Sequence, residues 1–146
     1  MKINGTKNAD YLTGTNADDI ITGGEGRDII TGGEGNDTLL GGLDGDIITG
    51  GMGSDDFVFE SFNERTDRIT DFSASEDRLV LTQVFAELDY LGNNPVADGY
   101  LQFVQTGSST RVQIDQDGLE PAPFRTIAIL LNFNASDLVV GGNVVI

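Results

Sequence analysis

The chain contains neither cysteine nor histidine. Without cysteine there are no disulfides, no thiolate metal sites and no cysteine nucleophile. Without histidine the usual zinc sites, the usual general base and every imidazole-dependent triad are excluded as well. Positive charge is also scarce, with 8 basic residues against 24 acidic ones and a net charge of −16. A polyanion of this kind repels nucleic acid and anionic membrane and points to a cationic partner. No stretch approaches the ~20 consecutive apolar residues of a membrane span. The opening MKINGTKNADYL lacks the apolar segment of a cleaved secretory signal, so export, if it occurs, is expected by another route.

Glycine and aspartate are what the chain has in place of these groups. Of its 20 glycines, 14 precede residue 59, and the same segment carries nine Asp and two Glu against two Lys and one Arg, a net −8, leaving −8 for the remainder. Gly recurs at 5, 14, 23, 32, 41 and 50. Asp recurs at 10, 19, 28, 37, 46 and 55, and a large apolar residue at Leu12, Ile21, Ile30, Leu39, Ile48 and Phe57. All three series step by nine through six copies, which is the mark of a solenoid of stacked units.

Each position of the unit has a physical reason. The Gly-Gly pairs and the Gly at position four tolerate positive φ and let carbonyl oxygens converge with no Cβ between them. Asp at position six adds a carboxylate to that turn. The last three residues, such as Ile29-Ile30-Thr31, are β-branched and suit a short strand whose middle side chain points inward. With two units per turn, Asp10, Asp28 and Asp46 form one column, and Asp19, Asp37 and Asp55 another. Stacked carboxylates repel unless a cation lies between them. A flexible shell of six to eight carbonyl and carboxylate oxygens suits calcium; magnesium prefers a smaller octahedron and retains water. A solenoid in which Asp and Gly serve only as turn formers does not account for Asp at position six in every copy while positions three and five vary.

GGEGRDIIT (23–31) and GGEGNDTLL (32–40) resemble the repeats-in-toxin (RTX, hemolysin-type) calcium-binding nonapeptide. The resemblance implies an all-β fold, a right-handed parallel β-roll with two short strands per 18-residue turn, with several ions between neighbouring loops. Its implied ligands are the carboxylates of Asp10, Asp19, Asp28, Asp37, Asp46 and Asp55. It further implies the carbonyls of Gly23, Gly24, Gly26, Gly32, Gly33, Gly35, Gly41, Gly42, Gly50, Gly51 and Gly53. Copies one and two depart from the pattern, with Thr6 and Thr15 at position two and Asn8 and Ala17 at position four. They are expected to bind weakly or to act as a cap. Copy five has Asp44 at position four, which either disturbs the carbonyl geometry or adds a ligand.

Residues 59–146 have no nine-residue period. DRITDFSASEDRLVL (67–81) holds two short β-like runs, and 82–92 reads as a short helix closed by Gly92. Residues 100–115 alternate around Thr-Gly-Ser-Ser as a hairpin, 124–133 read as a buried strand, and the chain ends in NVVI. These features predict a roll over 1–58 and, over 59–146, a mainly antiparallel β cap covering Ile48 and Phe57 at the open end. DRITDF, EDRLVL, hairpin, apolar strand and aliphatic terminus also resemble the C-terminal target region of proteins exported by type I secretion. That resemblance implies an ABC-type secretion apparatus as partner and a secreted, extracellular or cell-surface location. Asp67, with Asp71 and Asp77, is either a cap calcium ligand or a solvated surface acid.

Tyr11, Ile29 and Ile47, with Thr13, Thr31 and Thr49, are expected to form an outward ladder on one sheet, against a more mixed Ile20, Thr38 and Asp56 row on the other. Such a face suits self-association or cap packing, or a polysaccharide, cell-surface or ice ligand. Abundant Asp would also permit glycosidase chemistry, but the repeat already accounts for it and no second element supplies a cleft. The expected function is therefore a non-catalytic calcium-binding module that folds after export, part of a larger toxin, hydrolase or adhesin. The alternative is a stand-alone binding or adhesion module.

Overall fold

A computed structural model describes residues 1–119 and 123–146. Two sheets face each other. One contains β1 (Lys2–Asn4), β3 (Ile20–Gly24), β5 (Thr38–Gly42), β7 (Asp56–Val58), β9 (Arg78–Val80) and β13 (Val144–Val145), stacked in that order and parallel throughout. The other runs from β2 (Tyr11–Thr13) through β4 (Ile29–Glu34), β6 (Ile47–Met52) and β8 (Asp67–Ile69) to β12 (Arg125–Leu130), again all parallel. Strands β11 (Ser109–Ile114) and β10 (Leu101–Thr106) then extend it antiparallel.

The eighteen-residue register is direct, with Ile3 opposite Ile21, Ile21 opposite Leu39 and Leu12 opposite Ile30. Strand β1 precedes the first expected copy, and its Ile3 stands nine residues before Leu12, so the apolar series begins one step earlier than the glycine series. The inward residues form two columns. Ile21, Leu39, Phe57, Leu79 and Val144 fill one, and Ile30, Ile48, Ile69 and Leu130 the other, each at most 1% exposed.

The sequence repeat ends at Val58, but both sheets run through it. Ile69 and Leu79 continue the two core columns in parallel register, so Ile48 and Phe57 are covered by further rungs. Among the described residues antiparallel pairing is confined to β10, β11 and β12, whereas β8, β9, β12 and β13 join the roll in parallel. The physical reason is that a rung needs an inward aliphatic and a backbone in register, not the full glycine motif. Helix α1 spans only Thr82–Glu87; it stops short of Gly92 because Asp89 turns left-handed (φ 53°). The hairpin pairs Leu101 with Ile114 and Phe103 with Val112 across Gly107 and Ser108. No helix among the described residues is long and apolar enough to cross a membrane.

Candidate metal centre

The aspartates of the repeat stack as two ladders. The Asp10 amide donates to Oδ1 of Asp28 (2.8 Å), Asp28 to Asp46 (2.7 Å) and Asp46 to Asp67 (2.8 Å). On the other side Asp19 donates to Asp37 (2.8 Å), Asp37 to Asp55 (2.9 Å) and Asp55 to Asp77 (3.0 Å). From Asp28 onward one oxygen of each acid thus ties its turn to the turn before.

The second oxygen differs between copies. In copies three to six, Oδ2 of Asp28, Asp37, Asp46 and Asp55 is buried and has no hydrogen-bond partner among the described residues. A buried carboxylate oxygen in that condition costs several kcal/mol unless a cation meets it, since about 2–7 kcal/mol is typical even for a neutral polar group. In copies one and two the equivalent oxygens of Asp10 and Asp19 accept both the amide and the hydroxyl of Thr6 and Thr15 (2.6–2.9 Å). The position-two glycines adopt φ of 102–122° at Gly24, Gly33, Gly42 and Gly51, a region Thr6 and Thr15 do not enter. The Thr turns therefore direct N–H and O–H at Oδ2 and satisfy that oxygen within the chain, while Oδ1 of Asp19 pairs with the N-terminal ammonium of Met1 (2.6 Å).

Position-one glycine marks the cradle. A Cβ on Gly23 would overlap Oδ2 of Asp28 and the carbonyl oxygen of Gly41; on Gly32 it would overlap Oδ2 of Asp37 and the Gly50 carbonyl. A carboxylate oxygen and the carbonyl of the next turn thus converge where only a hydrogen leaves room. At Gly41 the neighbours are Oδ2 of Asp46 and, 2.8 Å from the Cβ position, Oδ2 of Asp67. Position-two carbonyls of Gly24 and Gly33 face Gly42 and Gly51, and the Gly35 carbonyl faces Gly53, while Gly26 packs on the backbone of Asn8 and Ala9. No group of three or more acidic side chains converges into a metal cluster among the described residues. An ion here would be held by one or two carboxylates and main-chain oxygens, a hard-oxygen set that fits calcium.

The remaining expected residues divide. Asp67 continues the first ladder and is 1% exposed, while Asp77 continues the second, with its Oδ2 accepting the Ser73 amide (2.8 Å). Asp71 accepts the amides of Gly50 and Gly51 (both 2.9 Å). Asp44 takes the positive φ of the glycine it replaces (75°), and its carboxylate is engaged by the Gly26 amide (3.3 Å) and by Arg65 (3.4 Å). Sequence reading missed Glu64. It is 4% exposed, with Oε1 accepting the amides of Glu60 and Ser61 and Oε2 without a partner among the described residues. It lies in a loop outside the period, so no spacing signal could have found it.

Burial dominates the electrostatics. It pushes the carboxyls of Asp46 and Asp55 up to about 6, with neighbouring acids adding to the effect. Glu64 rises to about 7 and Asp67 to about 9, and Asp28 and Asp37 are also raised, in each case first by desolvation. All these groups resist ionising in the folded chain unless positive charge is supplied.

Residues 4–39 and 31–63 match the RTX calcium-binding nonapeptide repeat family. Over 97% of its length the chain is also similar, at 30% identity and a TM-score of 0.70, to 80% of the AlgE6R3 subunit of the Azotobacter vinelandii mannuronan C5-epimerase. The chain belongs to the RTX calcium-binding repeat family. A second solved structure, the AlgE6R2 subunit of the same epimerase, is 27% identical with a TM-score of 0.74, covering 99% of this chain and 91% of its own. No curated protein matches the chain. This RTX chain is thus a calcium-binding repeat domain of the β-roll type.

Proposed function

We propose that this RTX module folds only when calcium reaches it after export. The observation that carries the reading is the set of four buried, unpartnered Oδ2 atoms on Asp28, Asp37, Asp46 and Asp55. At low calcium these carboxylates repel and desolvate at a cost, which favours the unfolded chain that a type I ABC transporter threads. Outside the cell, where extracellular modules bind calcium at roughly 10⁻⁴ to 10⁻³ M, binding and folding become one event. A bound ion supplies the charge that the stacked oxygens lack. The repeat glycines shape the cradles, the six repeat Asp hold the ladders, and Asp67 closes the first of them at the junction with residues 59–146.

Catalysis is not part of this role. The solved neighbours are subunits of a mannuronan C5-epimerase, which supports reading the present chain as a module carried by a larger secreted protein. The deciding experiment is a calcium titration of an EDTA-treated sample followed by far-UV circular dichroism, with magnesium as control. Cooperative gain of β signal with calcium alone is expected. A spectrum already folded in EDTA and unchanged by calcium would remove the physical basis of export in an unfolded state.

A further inference from the structure

The two sheets end in edges of different kinds. At the start of the roll β1 and β2 are three residues long and stand beside Lys2 and Asp10, and at the far end of the six-stranded sheet β13 has two residues. Short strands and charged neighbours of this sort discourage pairing with another chain. The far end of the seven-stranded sheet has neither device. There β10, LQFVQT, runs for six residues without charge or proline, inside the longest uncharged stretch of the chain, residues 99–110.

The hairpin register determines which backbone groups of β10 face away from β11. Its loop is the two residues Gly107 and Ser108, with φ of 61° at Gly107, so the flanking Thr106 and Ser109 form a hydrogen-bonded pair. Such pairs recur at every second residue, at Val104 with Arg111 and at Gln102 with Gln113. The Asp115 amide, donating to the Tyr100 carbonyl (2.9 Å), continues the series. Leu101, Phe103 and Gln105 therefore turn their N–H and C=O groups to the open edge. The Leu101 amide is held there by the Pro95 carbonyl (3.0 Å). The amides of Phe103 and Gln105 and the carbonyls of Leu101, Phe103 and Gln105 have no hydrogen-bond partner among the described residues. The Phe103 side chain is only half-buried, on the face of the sheet that turns towards the core.

We propose that β10 pairs antiparallel with β10 of a second calcium-loaded copy, joining two seven-stranded sheets across a two-fold axis at Phe103. In this register the Phe103 amide of each copy donates to the Phe103 carbonyl of the other, and each Gln105 amide to a Leu101 carbonyl. Every free donor of the edge is then used. The Gln105 carbonyl, at the exposed end of the strand, stays open to solvent. The two Phe103 rings lie opposite one another, an arrangement that aromatic pairs on neighbouring strands favour. Two-fold pairing needs a surface complementary to itself, and an uncharged ladder of alternating donors and acceptors is one. Charge argues for the same contact, because in a chain of net charge −16 an uncharged edge lets two copies meet with little local repulsion. Since β11 and β12 place β10 on the roll, only the folded module pairs. The contact goes beyond calcium-coupled folding and gives the folded module a partner, a second copy of itself.

The test is sedimentation velocity of the calcium-loaded chain together with residue-resolved amide exchange by NMR, over about 10 μM to 1 mM, where a small interface titrates. The dimer fraction is expected to rise with concentration and, at fixed concentration, with added salt, which screens the acidic repulsion. The amides of Phe103 and Gln105 are expected to exchange freely when dilute and to slow by about tenfold or more in the dimer, while those of Gln102 and Val104, bonded to β11, are slow throughout. Val104→Glu sets an acid beside Arg111 within each copy and two acids close together across the axis. It is expected to weaken dimerisation by about tenfold or more, with the dichroism spectrum in calcium unchanged. Leu91→Glu, a charge-matched control at a 98% exposed leucine outside β10, is expected to leave dimerisation as it was. A monomer at all concentrations would overturn the inference. So would a dimer whose Phe103 and Gln105 amides exchange as fast as in the monomer, or one that Leu91→Glu disrupts equally. Amides protected only by an added valine-threonine peptide, in a chain that stays monomeric, would assign the edge to a foreign strand and likewise overturn it.

Discussion

Replacing Asp55 with Asn separates the two tasks assigned to a ladder aspartate. Its Oδ1 accepts the Asp37 amide at 2.9 Å, a bond that the Asn carbonyl oxygen retains. Its Oδ2 is buried, unpartnered, and lies where a Cβ of Gly50 would be. The carboxyl is raised from 3.8 to about 6, chiefly by desolvation and then by Asp77 and Asp37. Two units correspond to roughly 2–3 kcal/mol of cost for ionising Asp55 in the folded, calcium-free chain near neutral pH. Asp55→Asn removes that cost. It is therefore expected to stabilise the calcium-free fold by up to about 2 kcal/mol, raising the melting temperature in EDTA by roughly 5 °C or more. In calcium the same substitution removes a charged ligand, so the protein should melt lower than the parent and need more calcium to fold. The assay is thermal melting by circular dichroism in EDTA and in saturating calcium. A loss of stability of similar size in both conditions would show that Asp55 acts only as a hydrogen-bond acceptor and would refute the argument.

pH provides an independent check. Acids with raised folded pKa bind more protons in the folded than in the unfolded chain, so the calcium-free fold is favoured below about pH 4. Its stability falls as pH rises through the values near 6 of Asp46 and Asp55 and near 7 of Glu64. In EDTA the β signal should therefore grow on acidification, while in calcium the dependence should reverse, because the ligands must be ionised to bind; dichroism across pH 4–8 measures both. Gly23→Ala places a methyl group on Oδ2 of Asp28 and the Gly41 carbonyl. It should cost about 1–3 kcal/mol in calcium and lower the bound-ion count read by native mass spectrometry.

The nine-residue step fixed most of the roll because both requirements of a rung are local. A turn needs glycine where φ is positive, and a strand needs one inward aliphatic, so Gly24, Asp28 and Ile30 each announce their place without reference to the rest of the chain. The same locality explains what escaped. Ile3 and β1 carry the aliphatic without the glycines, and β8 and β9 carry Asp67, Ile69, Asp77 and Leu79 at spacings stretched by intervening loops, 21 and 22 residues in place of 18. Glu64 has no period at all, and its burial follows from the loop that packs against the turn of Asp46. The neighbourhood of Arg68 and Arg111 is likewise a product of register. Arg68 and Arg111 are 43 positions apart in the sequence, and they share an outward row only because β12 inserts between their strands, parallel to one and antiparallel to the other. The sequence by itself determined the repeat, its ladders and the ion they call for, since these depend on neighbours a fixed nine or eighteen residues away. Only the tertiary structure decided where the roll ends, which carboxylate oxygens are left without a partner, and which charges meet on its surface, because long-range strand pairing sets each of these.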